Sequence, residues 1–360
     1  MTNHDIAIIM AGGVGMNLKS GMPSVMADVM GKPMIARVTT AVVNSNIKNI
    51  IVVVPARDNF ISECLKSLFP NKEIHTVEQT TPLGTAHAVM QAKKYIEESA
   101  INGGNAVILN GDTPFMDANT ICAAYSSHIN FKNVATVITA LVSKPFGYGR
   151  IIRDEYRKFN GIVEEQDANS DVKRINEISS GTFWFSSKVL LNALNILNPR
   201  KNGHYNLVDV ISNLVDDKMK VDTFFAPRSD IVLGANNRFQ LMELNEYAQK
   251  QELEHHLSLG VDIPFSDGVI IEPGVVIGMD STILPNTIIK GNTTIGNNCI
   301  IGPNTIIYDS TIEDDVVLNN VHCSSSIVKC GASVGPFVNI PSGSIVERIL
   351  TDETVVDIKS

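Results

Sequence analysis

Basic residues are scarce in this 360-residue sequence, where 29 Lys and Arg stand against 38 Asp and Glu and give a formal net charge of −9. Nucleic-acid binding depends on clustered Lys and Arg, so this balance argues against a polyphosphate backbone as the main partner. A small anionic ligand held by local groups is still compatible with this charge. With 44% hydrophobic residues, the chain is long enough for about two domains with full cores.

Cysteine is also scarce, and long apolar runs are absent. The five cysteines are scattered and form no CxxC pair, which argues against a disulfide framework or a zinc site and favours reduced thiols. No stretch approaches the ~18 apolar residues of a membrane span, and the apolar run near the N-terminus soon ends in glycines. We therefore expect a cytoplasmic protein with neither a membrane nor a nucleic-acid partner.

Up to about residue 228, short β-rich runs alternate with longer segments of helical period. The runs that predict strands are DIAIIMA, NIIVVVPA, EIHTVEQ, NAVILNGD and VATVITALV, and GTAHAVMQAKKYIEES predicts a helix. This alternation is typical of a Rossmann-like α/β domain with a mainly parallel sheet. Ligands bind beyond the carboxyl ends of such strands, so the loops after Met10 and Leu109 are expected near one site.

The C-terminal part has a different period. Isoleucine recurs at every sixth position from residue 271 to residue 307, a spacing that neither an α-helix nor a flat strand produces. It predicts a short left-handed parallel β-helix of hexapeptide repeats, with roughly four to five coils. The register slips near Ile312 and Leu318 and resumes at Val328.

The expected domains are therefore residues 1–228, a connecting helix within 229–262 and the β-helix at 263–360. The exposed faces and open end of a β-helix favour a homo-oligomer, such as a trimer, through this domain. His322 lies in the coil region and is a conceivable base for acyl transfer. Its position at the register slip favours a structural role instead.

Three segments of the first domain each have two interpretations. MAGG at 10–13, with Gly15, offers backbone N–H groups that can cradle phosphates, or it forms a tight turn with a positive φ. Asp112, in NGDTP, can bind Mg²⁺ at a strand end, or it forms an ordinary Asx turn. Gly84 and Thr85, in LGTAHA, meet a base or phosphate, or they cap a helix.

Nine segments in one order carry a family resemblance. They are MAGG with Gly15, Pro23, GKP at 31–33, Gln79 with LGTAHA, NGDTP, GYGRI at 147–151, GIVEEQDA at 161–168, GHYNLVDVI at 203–211 and GANNRFQL at 234–241. In combination they resemble the N-acetylglucosamine-1-phosphate uridyltransferase half of the GlmU family. The resemblance covers almost the whole chain, because that family also continues through a helix into a hexapeptide β-helix.

The resemblance implies a nucleotide site and a magnesium site. Gln79 would hydrogen-bond the uracil edge, and Asp112 and Asn236 would be the protein ligands of Mg²⁺. An oxygen-only pair suits this hard cation, which keeps several of its waters. The implied nucleotide-binding residues are Met10, Ala11, Gly12, Gly13, Gln79, Gly84, Thr85, Asn110 and Gly111.

It also implies a sugar site and a reaction. Gly149 would meet the acetamido group with its backbone, and Glu164 would accept a hydrogen bond from a sugar hydroxyl. UTP and N-acetylglucosamine 1-phosphate would give UDP-N-acetylglucosamine and pyrophosphate, by in-line attack of the sugar phosphate on the α-phosphorus.

Four positions depart from the family's pattern. Asn17 and Ser24 stand where the family has an arginine and a lysine, Gln166 replaces a second lysine, and Ser179 replaces an asparagine that contacts the sugar. One transition-state arginine can be worth roughly 10³- to 10⁵-fold in rate. Turnover would therefore require another cation near the phosphates.

Lys19 is the first candidate for that cation, and Arg150 and Lys173 are the others. With Asn17 and Ser24, Lys19 completes the set of candidate catalytic positions. If a cation substitutes, the protein is an active uridylyltransferase. If none does, it is a silent nucleotide-sugar-binding or regulatory homologue.

The family's acetyl-transfer site lies in later coils, beyond VGPFV at 334–338. We therefore expect no acetyltransferase activity from this sequence.

Overall fold

The computed structural model describes residues 1–13, 21–235 and 237–348 of the chain. The chain divides into two compact units, Met1–Met242 and Glu243–Ser360. The domain boundaries at 228 and 262 stay predictions. Among the described residues, no helix combines the length and the apolar character needed to cross a bilayer.

Eleven of the described strands belong to the first unit. They are β1 (Ile6–Met10), β2 (Asp28–Val29), β3 (Lys32–Pro33), β4 (Asn49–Pro55), β5 (Ile74–Gln79), β6 (Asn105–Asn110), β7 (Ala135–Leu141), β8 (Arg150–Arg153), β9 (Phe159–Val163), β10 (Glu177–Ser186) and β11 (Val221–Phe225). Five of them coincide with the runs that the sequence predicts as strands. The other six, β2, β3, β8, β9, β10 and β11, are not among the predicted runs.

Nine of these strands form one sheet. Its order is β11-β7-β10-β6-β1-β4-β5, and β8 extends it by pairing with β10 and with β9. The pairs of β1 with β4 and β6, β4 with β5, and β7 with β11 are parallel, whereas β10 runs antiparallel to its neighbours. The predicted mainly parallel α/β sheet is therefore confirmed.

Helices follow most of the strands. They are α1 (Met34–Asn44), α2 (Phe60–Leu68), α3 (Thr85–Gln91), α4 (Lys93–Ile101), α5 (Ala118–Asn130), α6 (Ser187–Ile196), α7 (Leu207–Asp216) and α8 (Arg238–Ser258). The single helix predicted over GTAHAVMQAKKYIEES is divided into α3 and α4. At the break, the N–H groups of Ala92 and Tyr95 each bond to a carbonyl three residues earlier, as in a tighter turn.

Both faces of the sheet are buried. Along β1, Ala7 and Ile9 belong to one apolar cluster, while Ile6 and Ile8 belong to another. Successive side chains of a strand point to opposite faces, so a strand covered on both sides needs an unbroken apolar run. The sequence IAIIM meets this requirement and fixes β1 at the centre of the unit.

The second unit contains the β-helix. Its strands are β12 (Ile270–Ile271), β13 (Val276–Ile277), β14 (Thr282–Ile283), β15 (Ile288–Lys290), β16 (Thr294–Ile295), β17 (Ile300–Ile301), β18 (Ile306–Tyr308), β19 (Thr311–Ile312), β20 (Val317–Leu318), β21 (Val321–Ser324), β22 (Ile327–Val328), β23 (Ser333–Val334), β24 (Val338–Ile340) and β25 (Ile345–Val346). They stack into three parallel sheets, β12-β15-β18-β21-β24, β13-β16-β19-β22-β25 and β14-β17-β20-β23.

The isoleucines of the six-residue repeat fill the interior of these coils. Ile271, Ile289 and Ile307 are in register on three successive strands and are fully buried. The predicted parallel β-helix is confirmed. His322 lies on β21 with its side chain exposed, next to the buried Cys323.

The register slip in the sequence does not interrupt the stack. Ile312 pairs with Ile295 although this coil is one residue short, and Ile312 is buried. The missing residue is absorbed at the corner before β19, where Asp309 has a φ of +46° and Ser310 takes a buried position equivalent to that of Thr293. Aspartate tolerates this left-handed conformation better than most residues.

We predict unequal effects for two neighbouring isoleucines of β18. Ile307 is fully buried, so Ile307→Ala should lower the free energy of unfolding by about 2–5 kcal/mol. Ile306 is 42% exposed, and Ile306→Ala should cost less than about 1 kcal/mol. Urea unfolding of the full chain, followed by circular dichroism, measures both. Equal losses would contradict this assignment of inward and outward positions.

Candidate active site

The carboxyl ends of β1 and β6 lie side by side. Met10 is in register with Asn110, and the N–H of Gly111 donates to the carbonyl of Met10 at 2.9 Å. A Cβ on Gly111 would fall 2.9 Å from that carbonyl oxygen, so a larger residue would push the two strand ends apart. The loops that follow these strands therefore start from adjacent points at one edge of the sheet.

Two cavities open at this edge. The first cavity, of about 270 Å³, and the second cavity, of about 330 Å³, share Met10, Thr85, Asn110 and Asp112 as lining residues. Additional candidate residues that line the first cavity are Gly149, Glu164 and Ser179. Those that line the second cavity are Gly12, Gly13, Ser24, Gln79 and Gly84. Most of the described candidate residues are thus brought together.

Two of the candidates lie beneath the cavities instead. Ala11 is buried, and its N–H donates to the carbonyl of Val53 at 2.8 Å, so this N–H is unavailable to a phosphate. Gly111 uses its N–H in the same way, on Met10. In both residues the amide supports the loop rather than the ligand.

Gln79 and Gly84 form one wall of the second cavity. The side-chain nitrogen of Gln79 donates to the carbonyl of Gly84 at 3.2 Å. Gly84 has a φ of +101°, and a Cβ there would lie 2.5 Å from the carbonyl oxygen of Tyr205. Both its conformation and its surroundings therefore require glycine.

The side chain of Thr85 supports a different helix from the one it begins. Gly84, not Thr85, is the N-cap residue of α3. The Thr85 hydroxyl accepts a hydrogen bond at 2.9 Å from the N–H of Leu207, the first residue of α7. Thr85 thereby ties the starts of two helices together at the wall of both cavities.

A second wall surrounds Glu164 in the first cavity. The N–H of Ser179 donates to the carbonyl of Gly149 at 2.8 Å. A Cβ on Gly149 would lie 2.8 Å from a methyl of Ile162 and 3.4 Å from a carboxylate oxygen of Glu164. Burial raises the pKa of Glu164, and the charge of Arg200 opposes this effect. Glu164 is therefore a partly desolvated hydrogen-bond acceptor. It lies beside the backbone of Gly149, which has no side chain.

Gly181 is a site residue that sequence reasoning missed. It lies where the pairing of β10 with β7 shifts register, with a φ of +72°. A Cβ on it would fall 2.3 Å from the side-chain nitrogen of Asn110, which therefore rests on this glycine. An isolated glycine inside the strand sequence EISSGTFWFS is a signal for such a bulge.

Comparisons with known proteins agree with this arrangement. A nucleotidyl transferase family model matches residues 6–231, and a bacterial transferase hexapeptide model of six repeats matches residues 274–309. The chain is 34% identical to the bifunctional protein GlmU of Streptococcus uberis over 360 residues, covering 100% of this chain and 76% of that protein. The chain belongs to the GlmU family. GlmU of Carboxydothermus hydrogenoformans is 35% identical over 358 residues, covering 98% of this chain and 77% of that protein.

In a GlmU-type site, Asp112 is the described residue that fits a magnesium ion. Burial raises the pKa of its carboxyl group. The described part of the chain holds no cluster of three or more His, Cys, Asp or Glu side chains suited to a metal. Mg²⁺ needs no such cluster, because it takes one or two carboxylates together with waters and substrate phosphates. The second expected ligand, Asn236, lies outside the described residues.

The structure places two of the three proposed substitute cations beside Glu165. Arg150 is buried and binds Glu165 at 2.7 Å and the carbonyl of Tyr148, and Lys173 lies 3.8 Å from the same Glu165. Neither Arg150 nor Lys173 lines either cavity. Arg150 is paired with Glu165, whereas the half-exposed Lys173 makes only a long contact with it, so a role for either residue at the phosphates stays a prediction.

Of the remaining candidate positions in and after the glycine loop, the structure describes only some. Ser24 lines the second cavity and begins a short 3-10 turn, Ser24–Met26. Asn17, Lys19 and Gly15 lie outside the described residues, so their roles stay predictions. His204 lines the second cavity and was missed as a site residue, although the motif GHYNLVDVI contains it.

Proposed function

We propose that this protein is a sugar-phosphate uridylyltransferase that forms UDP-N-acetylglucosamine and pyrophosphate from UTP and N-acetylglucosamine 1-phosphate. The observation that carries the proposal is the pair of adjoining cavities that share Asn110 and Asp112. Two ligands in these cavities would meet at the shared residues. A transferase needs this arrangement, because the attacking and departing groups must converge on one phosphorus.

The two cavities differ in the chemistry they offer. The second cavity is lined by Gly12 and Gly13, which carry no side chain, and by the amide side chain of Gln79, which suits a nucleotide. The first cavity has Glu164 beside the bare backbone of Gly149, which suits the hydroxyl and acetamido groups of a sugar. The ligand phosphates would then lie beside Asp112, between the base and the sugar.

In the proposed step, a phosphate oxygen of N-acetylglucosamine 1-phosphate forms a bond to the α-phosphorus of UTP. The bond from that phosphorus to the oxygen bridging the α- and β-phosphates breaks, and pyrophosphate leaves with the electron pair. Asp112, with Asn236 as its expected partner, would hold Mg²⁺, which neutralises charge on the reacting phosphates when bound. Gln79 and Glu164 hold the two substrates in line.

One observation favours a second candidate, a nucleotide-sugar-binding homologue without turnover. Asn17 and Ser24 replace the family's arginine and lysine, Arg150 is paired with Glu165, and neither Arg150 nor Lys173 lines the two cavities. Loss of cations at the phosphates lowers the rate far more than it lowers binding of the base and the sugar. Lys19 is the remaining proposed substitute.

Pyrophosphate release by the full chain, with UTP, N-acetylglucosamine 1-phosphate and Mg²⁺, tests the proposed reaction. We expect turnover above the no-enzyme background, and Asp112→Asn should lower it by roughly 10²-fold, because an amide cannot replace the carboxylate charge. Calorimetry with UDP-N-acetylglucosamine runs in parallel. A folded protein with neither turnover nor binding would overturn both candidates.

The double variant Asn17→Arg with Ser24→Lys separates the two candidates. If the natural protein binds the nucleotide sugar without turnover and the double variant gains turnover, the silent homologue is supported. High activity before the change would contradict it.

Gly12→Ala should weaken UTP binding by roughly tenfold or more, about 1.4 kcal/mol. Its Cβ would fall 2.4 Å from the side-chain oxygen of Gln79, so that side chain would have to leave its position. Gly21→Ala is the matched control, since a Cβ there meets no atom of the described residues within 4 Å. Calorimetric titration with UTP and Mg²⁺ compares the two variants with the unchanged protein. Equal affinities would exclude a role for this contact.

A further inference from the structure

His87, the third residue of α3, contacts the Gln79 side chain. Nδ1 of its ring lies 3.0 Å from the side-chain nitrogen of Gln79. The same nitrogen lies 3.2 Å from the carbonyl oxygen of Gly84. Gln79 is 6% exposed, so its amide is held by these neighbours rather than by solvent.

The Gly84 carbonyl determines which way the Gln79 amide is turned. A carbonyl oxygen can only accept a hydrogen bond, so the NH₂ group of Gln79 must lie on the side of Gly84. His87 Nδ1 must then accept the other N–H, which places the proton of a neutral ring on Nε2. In this tautomer the 3.4 Å approach of Nε2 to the side-chain nitrogen of Gln91 is not a hydrogen bond, because an amide nitrogen cannot accept; the Gln91 nitrogen donates instead to the His87 carbonyl at 2.9 Å.

Both side-chain N–H groups of Gln79 are therefore engaged, one by the Gly84 carbonyl and one by His87. The side-chain oxygen of Gln79 is the atom left to meet a ligand. This oxygen lies next to Gly12, 2.4 Å from the place that a Cβ would occupy, at the wall of the second cavity. An amide oxygen in this orientation accepts and cannot donate. It matches N3–H of uracil, whereas N3 of cytosine is itself an acceptor and would face it without a proton.

We propose that His87 is a positioning residue that holds Gln79 with its oxygen toward the second cavity and so makes the site select uracil over cytosine. This inference rests on the proposed function, because it assumes that the second cavity receives the base. The Gly84 carbonyl sets this orientation and His87 adds the second hydrogen bond that holds it; without His87, only the single 3.2 Å bond to Gly84 opposes a turn of the Gln79 amide that would offer N–H to cytosine. A site that holds a fixed hydrogen-bond partner rejects a mismatched ligand much more strongly than a site that can adapt.

Calorimetric titration of the full chain with UTP and with CTP, each with Mg²⁺ and without sugar phosphate, tests the inference. The unchanged protein should bind UTP at least tenfold more tightly than CTP. His87→Leu, which removes the acceptor, should reduce this preference at least tenfold. His87→Asn, whose side-chain oxygen can accept in place of Nδ1, should retain most of it.

His75→Leu is the matched control. His75 lies on β5 beside the ring of Tyr95 and near Glu73, and it lines neither cavity. The preference for UTP should not change in this variant. A loss of preference there equal to that of His87→Leu would overturn the inference, since a general loss of packing would then explain both.

The outcomes distinguish the inference from the proposed function. If the unchanged protein prefers UTP and His87→Leu keeps the whole preference, the positioning role is wrong and the proposed function stands. Equal binding of UTP and CTP by the unchanged protein also overturns the positioning role. If the unchanged protein binds no uridine nucleotide, both the proposed function and the inference fall.

A second measurement requires no variant to fold. In protein labelled with ¹⁵N-histidine, the ring of His87, assigned through its contact with the Tyr205 ring at 6.3 Å between centroids, should show a bare Nδ1 and a protonated Nε2. A proton on Nδ1 in the neutral ring would contradict the hydrogen bond from Gln79 and overturn the inference.

Discussion

The site depends on close contacts between the backbone and neighbouring groups. These contacts are possible only at glycine, which has no side chain. At Gly111, Gly234 and Gly84 a Cβ would come within 2.9 Å of a carbonyl oxygen, and at Gly181 it would come within 2.3 Å of the amide of Asn110. Real Cβ atoms do not approach other groups this closely, so glycine is required at each point. These four contacts bring the ends of separate strands and loops to one edge of the sheet. The two cavities exist because those loops can lie so near each other.

Shape and charge have separate roles in this molecule. The described contacts that shape the cavities are close backbone contacts at glycines. The charge is different. Asp112 and Glu164 are carboxyl groups whose pKa values are raised by burial, Arg150 is paired with Glu165, and Lys173 lines neither cavity. A GlmU-type chain can therefore keep its binding geometry while its capacity to stabilise a transition state changes. The Gln79–His87 contact is part of the binding geometry, and it does not depend on the arginine and lysine that Asn17 and Ser24 replace.

The sequence predicts what periodicity and local motifs determine. The run IAIIM identifies a central strand, and the isoleucine repeat identifies the β-helix, because both patterns record burial directly. Contacts between distant segments leave no such record. Nothing in the local sequence around Arg150 shows that Glu165 holds its guanidinium, and nothing in LGTAHA shows that Thr85 bonds to Leu207. The same holds for Asn110 against Gly181, since a single glycine in a strand signals a bulge but not its partner.

The most direct measurement is a crystal structure of the full chain with UDP-N-acetylglucosamine and Mg²⁺. Uracil should lie in the second cavity against Gln79 and Gly84, the sugar should lie in the first cavity beside Gly149 and Glu164, and the diphosphate should cross at Asp112. Nucleotide sugar bound away from the carboxyl ends of β1 and β6, or bound with its base beside Glu164, would contradict the assignment of the two cavities.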